Sequence, residues 1–384
     1  MSISAIQLMR PLAAAVFSVA LLGAASSEVR AAGPELADTM TWSSYDVGSA
    51  GYAEASAMAD AFGKKFGTRI RIQPSGSAIG RLQPLLSGRA TVGFLATETF
   101  FAAEGTHDFS TRQWGPQNLR ALAGRPSSMG VFTAKDAGIE TLADLKGKRF
   151  AFVAGNPSVN VKCIAFLAFA GLTQDDVEAV VFPTYGSAMS SLARGEADAS
   201  CTTSTPSHVY ELAESPRGVR WLDMDPDDTE GWKKVSEVAP FFAPFRETIG
   251  AGLSEDNPVN IMAYRYPVLA VKADMDADTA YNMLKAVDET YPLYKSATAA
   301  MVRWDLEKSG IPAIDVPFHE GAIRYLKEKG IWNDEYQAWN DARTKRLDAL
   351  LEAWPKAVAE GEGKSDEEFA EIWERYRQQA LSSL

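Results

Sequence analysis

Histidine and cysteine are scarce in this 384-residue chain, with three histidines (His107, His208, His319) and two cysteines (Cys163, Cys201). No Cys/His set has metal-ligand spacing, and candidates for a general base are few. Gly-x-Ser-x-Gly, His-Glu-x-x-His and the Ser-x-x-Lys set are missing too, which argues against an exported enzyme. Positive charge is also short: 38 Lys and Arg stand against 50 Asp and Glu, a net charge of −12. Such a chain suits a phosphate backbone poorly, so nucleic acid is not an expected partner. A local site can still oppose the global field, so a small anionic ligand remains compatible. Beyond the N-terminus, no segment reaches the roughly 18 uninterrupted apolar residues of a membrane-spanning helix.

What is present begins with a leader. Arg10 precedes an apolar run from Pro11 to Ala25, and Val29-Arg30-Ala31 fits a small-residue cleavage site. The run is too short to cross about 30 Å of hydrocarbon and reads as a signal peptide, cut after Ala31. No cysteine follows it to carry a lipid anchor. Removing Arg10, Glu28 and Arg30 changes the balance to 36 − 49 = −13. Cys163 and Cys201 read either as one disulfide, suited to an exported protein, or as two buried thiols, which is the favoured reading.

Strand-like and helix-like stretches alternate, the pattern of α/β layers with mainly parallel sheet. Arg69-Ile70-Arg71-Ile72 alternates polar and apolar; Ile79, Leu82, Leu85 and Leu86 then share a helical face, shortened by Pro84. Val92 to Ala96 is a continuous apolar run, as in a strand buried on both faces. A second unit starts near Arg125, with strands at Phe150–Val153, Val180–Phe182 and Ala199–Cys201. Residues 206–252 are rich in Pro, Asp and Trp and read as connecting structure, and Tyr266 to Val271 as a further strand. The last fifty residues form two amphipathic helices, with Trp339, Leu347, Leu350, Leu351 and Trp354 on one face and Phe369, Ile372, Trp373 and Tyr376 on another. They are expected to pack on the body; a dimer contact is the alternative, and a monomer the default.

Residues 317–325, Pro-Phe-His-Glu-Gly-Ala-Ile-Arg-Tyr, have no catalytic logic of their own. Together with the 45–52 strand–turn–helix stretch, Ser75-Gly76-Ser77-Ala78-Ile79-Gly80, Asp144-Leu145-Lys146-Gly147-Lys148-Arg149 and Gly195-Glu196-Ala197-Asp198-Ala199, they resemble the TAXI-type solute receptors of TRAP transporters. Gly80 departs from the asparagine frequent there. The resemblance implies a two-lobe periplasmic binding protein (type II-like) without cofactors. Each lobe is expected to be a mainly parallel sheet flanked by helices. The expected organisation is signal peptide 1–31, first lobe 32–124 and 246–334, second lobe 125–245, and a C-terminal helical extension 335–384. It also implies a small organic anion as ligand, glutamate-like or a dicarboxylate, and transmembrane TRAP subunits as partner. The 317–325 motif itself reads as structural, with Glu320 in the first turn of a helix.

In open α/β sheets ligands lie beyond the carboxyl ends of the strands, where helix N-termini favour anions. Two turns of that kind are on offer: Ser75-Gly76-Ser77, and the 155–158 turn with Asn156 and Ser158. Plain helix capping is the alternative for each. Tyr185, Ser187 and Thr203 belong to further polar clusters at strand ends. Tyr45 either walls the cleft or belongs to the core. Arg81 either pairs with a ligand carboxylate or is a solvated helix arginine, the commoner case. Glu98 is left out because it would repel a carboxylate.

Overall fold

Six short strands lie in parallel, three at each end of a mixed sheet. The computed structural model describes residues 33–312 and 316–384, and the proposed leader, 1–31, lies outside the described residues. In the first half, β1 (Thr39–Ser44), α1 (Ala50–Phe66), β2 (Arg69–Pro74), α2 (Ala78–Leu86), β3 (Val92–Leu95) and α3 (Glu98–Glu104) follow in order. β1 pairs in parallel with both β2 and β3. α1 starts where the Ser49 side chain accepts from Tyr52 N and stops at Gly67, whose φ of 77° is a left-handed stop. Its Ala55, Met58 and Phe62 face inward.

β4 (Leu119–Ala134) then crosses into the second half, followed by β5 (Arg149–Val153), α4 (Pro157–Phe169), β6 (Glu178–Phe182), α5 (Tyr185–Arg194) and β7 (Ala199–Thr202). β5 pairs in parallel with β6 and β7. The stretch expected to be connecting structure holds α6 (Ser207–Glu214), β8 (Val219–Trp221), α7 (Thr229–Val238) and β9 (Ala243–Glu247). Its Pro and Asp residues sit at the ends of short elements: Pro206 and Asp228 are the N-cap residues of α6 and α7.

β10 (Val259–Lys272) returns antiparallel to β4, giving the order β2-β1-β3-β10-β4-β7-β5-β6, with β8 on β4 and β9 on β10. These two long strands run through two hydrophobic cores. Leu119 and Ala121–Ala123 of β4 and Val268–Val271 of β10 sit in the first core. Met129, Val131 and Phe132 of β4 and Met262, Tyr264 and Tyr266 of β10 sit in the second. Residues Pro34–Leu384 form one compact unit. The fold is α/β, as expected, with three parallel strands flanked by helices at each end of the sheet and the antiparallel crossing strands β4 and β10 joining them.

α8 (Ala277–Tyr294), α9 (Leu306–Ser309) and α10 (Glu320–Glu328) complete the first core, and α11 (Asp334–Glu360) and α12 (Asp366–Ser382) follow. α11 and α12 enclose a third apolar cluster of Leu350, Ala353, Ala357, Phe369 and Trp373. They pack on the body as expected. Trp373 Nε1 donates to Gly105 O at 2.5 Å, and the buried Glu104 carboxylate pairs with Arg343, Arg346 and Arg377 at 3.0, 2.7 and 2.9 Å. Cys163 of α4 and Cys201 of β7 are joined in a disulfide. This corrects the expectation of two free thiols: helix and strand pack face to face, which brings residues 38 apart in sequence to a Cα separation of 5.5 Å.

Candidate functional site

The two cores meet where β1 and β3 end, where α2, α4 and α5 begin, and where β10 crosses at Tyr264 and Tyr266. Tyr45, Met129, Val159, Lys162, Tyr185, Thr202, Thr203, Tyr264 and Tyr266 line a cavity there. Tyr264 and Tyr266 point the same way because they are two apart on a strand, and their rings stack with centroids 6.0 Å apart. Tyr45 meets Tyr185 and Tyr266 edge-on at 5.2 and 5.7 Å. Tyr185 Oη lies 2.5 Å from Thr202 Oγ1, and Tyr266 Oη accepts from Gly51 N at 3.1 Å. Burial pushes all four phenols up, Tyr45 to about 12, so the rings stay neutral. The buried Lys162 ammonium lies 4.0 Å from the Tyr264 ring centroid. The cavity volume is only about 10 Å³, room for a single water molecule.

A polar cluster lies against the other side of Tyr45. The Arg81 guanidinium carbon is 3.2 Å from the Tyr45 ring centroid. Arg81 Nε and Nη2 both lie 2.9 Å from Glu98 Oε1, and neither side chain is exposed to solvent. Burial pushes the Glu98 carboxyl up, but Arg81 more than reverses it, so it sits below the ordinary carboxylate range. Ser158 stands beside them, its Oγ 3.2 Å from Thr97 Oγ1. Among the described residues, buried polar atoms that make no hydrogen bond gather here: Arg81 Nη1, Glu98 Oε2 and Asn156 Oδ1. Buried polar groups are normally satisfied, so this concentration marks a place for water or a polar ligand.

The expected residues separate into three groups. Tyr45, Tyr185 and Thr203 line the cavity, while Arg81, Asn156 and Ser158 belong to the polar cluster. The expectation of a solvated Arg81 is corrected: α2 packs this side chain inward, where Glu98 neutralises it. Ser75, Gly76 and Ser77 stand at the mouth, and the two turns touch each other. Ala78 N donates to Gly155 O at 3.2 Å and Asn156 Nδ2 to Gly76 O at 3.3 Å. Ser77 caps α2 by accepting from Gly80 N, as the plain capping alternative expects. Ser187 is engaged in a capping box with Thr184 and lies outside the cavity lining.

Sequence reasoning missed Lys162, Tyr264 and Tyr266 and set Glu98 aside, while Thr202 belongs to the strand-end polar cluster it pointed to around Thr203. Two signals were there to read. Tyr264-x-Tyr266 has strand alternation, and Lys162 is a lone cation in an otherwise apolar helical stretch. Glu98 was dismissed as a repulsive charge because its neutralisation by Arg81, 17 residues earlier, is a tertiary fact. A larger groove of about 450 Å³ lies elsewhere, but its charged lining is Glu35, Asp276 and Asp278, unsuited to an anion.

The family model described as the NMT1-like family matches residues 45–330. The chain belongs to that family. The match takes in the seam and both turns, and α11 and α12 lie beyond it. Solved structures similar to this NMT1-like chain include the alkanesulfonate-binding protein SsuA from Xanthomonas axonopodis pv. citri bound to MOPS, at 16% identity over 77% of this chain and 85% of that one, with a TM-score of 0.44. SsuA from Escherichia coli is 17% identical over 83% and 88%, with a TM-score of 0.39. An ABC transporter / periplasmic binding protein from Brucella ovis with glutathione bound is 15% identical over 65% and 67%, at 0.42.

Proposed function

We propose that the chain is an exported solute receptor that encloses a small organic anion between two lobes and hands it to transmembrane subunits. The observation that carries this reading is the gathering of buried, unpartnered polar atoms around Arg81, at the seam where β4 and β10 pass from one core to the other. The lobes correspond to 32–124 with 246–334, and 125–245, and the shared strands serve as the hinge. Closure of this kind is the usual response of hinged two-lobe proteins to a ligand.

A carboxylate, glutamate-like or of a dicarboxylate, suits the chemistry. Arg81 has one nitrogen unengaged by Glu98, and the Lys162 ammonium lines the adjoining cavity. The tyrosine rings supply apolar walls with polar tips. A cavity of about 10 Å³ is far below the roughly 300 Å³ that a small-molecule pocket needs, so binding requires the tyrosines to part and the seam to widen. The disulfide supports an oxidising compartment, in keeping with export to the periplasm.

The 317–325 motif and the ordered steps before it support the TAXI-type assignment, with an ion-gradient-driven TRAP partner. A receptor for an ATP-driven transporter shares the broad fold, and the adjacent gene decides between them: a multi-span membrane protein without an ATPase fits the first. Binding itself is tested by thermal shift with a panel of organic acids. A ligand at 100 times its Kd stabilises by about 2.7 kcal/mol. A melt moved by a neutral or cationic compound, and by no carboxylate, overturns the anion reading.

A further inference from the structure

The mouth of the seam is closed by one carboxylate and a few backbone groups. Asp46, just after β1, accepts at Oδ2 from Gly186 N at 2.9 Å. Gly186 is the second residue of α5, so its amide is among the donors that a helix leaves unpaired. A carboxylate that follows β1, in the first half of the chain, thus caps a helix of the second half. Beside it, Ser207 N and Oγ donate to Gly48 O at 3.0 and 3.1 Å.

His208 fills the space between these groups. Its Nδ1 lies 3.1 Å from Ser190 Oγ on α5. A Cβ at Gly48 would sit 2.7 Å from the His208 ring, and one at Gly186 would sit 3.1 Å from Asp46 Oδ2 and 3.5 Å from His208 Nε2. Both glycines leave room for the imidazole and the carboxylate. Asp46 Oδ1 and His208 Nε2 are buried and make no hydrogen bond among the described residues.

We propose that Asp46, Gly186 and His208 form a proton-sensitive latch, closed while His208 is neutral and released when it is protonated. The latch rests on the two-lobe receptor reading. An imidazolium needs acceptors for two N–H groups. Ser190 Oγ can serve Nδ1, but Nε2 has no acceptor at hydrogen-bond distance. Asp46 after β1 and Glu211 on α6 attract the cation, Arg194 on α5 repels it, and the neutral Tyr185 ring is 6.4 Å away. Burial outweighs the two carboxylates and pushes the imidazole below its ordinary value of 6.5. A group with the lower pKa in the closed form takes up its proton more readily in the open form. Closure is therefore complete above about 6.5, weakens as pH falls below it, and levels off beneath the closed-form value.

Hydrogen–deuterium exchange of the purified mature protein tests this without any ligand. After correction for intrinsic exchange, peptides containing Gly186 and Ser207 should lose protection several-fold between pH 7.5 and 5.5, while β5 peptides should not. His208→Gln should abolish that pH dependence, and Asp46→Asn should lower protection at both pH values. Wild-type protection that is equal at both pH values overturns the latch, and so does a full pH dependence surviving in His208→Gln. The wild-type arm needs no variant to fold. Failure of the thermal-shift panel bears on the receptor reading and leaves this measurement untouched.

Discussion

Arg81 sits with its guanidinium carbon 3.2 Å from the centroid of the Tyr45 ring, sealed from solvent. The ring and Glu98 between them occupy most of the guanidinium, and one nitrogen is left over. That relationship joins the polar cluster to the tyrosine cavity, because Tyr45 borders both.

Arg81→Met strands Glu98 as an uncompensated buried carboxylate and should lower stability by about 3–5 kcal/mol at neutral pH. Adding Glu98→Gln should recover part of that loss, measured by urea unfolding as a double-mutant cycle. Glu98 is held below its ordinary value of 4.5, so the pair's contribution is fully present above 4.5 and lost as pH falls through the lower folded value.

Reducing the Cys163–Cys201 bond frees a loop with a sequence separation of 38. The chain-entropy relation gives a loss of about 4 kcal/mol. Mass spectrometry should show a gain of two hydrogens on reduction of the unfolded chain, and the double Cys→Ala variant should melt earlier. An unchanged melt would remove the disulfide from the stability of the second core.

Glu104 joins the C-terminal helices to the body through three arginines that approach from α11 and α12. Glu104→Gln leaves those cations without their carboxylate and should cost about 3 kcal/mol. Arginines hold Glu104 below its ordinary value of 4.5 against the push of burial, so wild type should lose this contribution as pH falls through that lower value. Limited proteolysis should then cut near residue 333, between α10 and α11, before the rest of the protein is attacked.

Gly321 lets α10 approach α8 closely: a Cβ there would lie 2.1 Å from the Ala277 carbonyl oxygen and 2.9 Å from Tyr281 N. Backbone cannot swing aside as a side chain can. Gly321→Ala should destabilise by at least about 1–3 kcal/mol, read by thermal melting, as overpacking of a fitted contact does.

The 317–325 motif was legible in kind. His319 caps α10, and its Nε2 lies 2.9 Å from Met275 O. Tyr325 Oη donates to Asp288 at 2.7 Å, and His319 N to Ala121 O at 2.9 Å. It braces the first core, far from the Arg81 cluster, as its lack of catalytic logic implied. The small elements within 206–252 were less legible, because strands and helices of three to ten residues carry too few periods of hydrophobicity to register.

Local chemistry alone determined a good deal about this protein. Alternating apolar runs specify the strands, Ser and Thr caps specify helix starts, and glycines at positive φ specify helix ends. These act within a few residues, so they can be read along the chain. The seam was decided only in three dimensions. Arg81 meets Glu98, Asp46 reaches Gly186 across 140 residues, and Cys163 finds Cys201. The first two pairings exchange an unfavourable buried charge or polar group for a partner, and all three depend on the packing of helices onto a sheet.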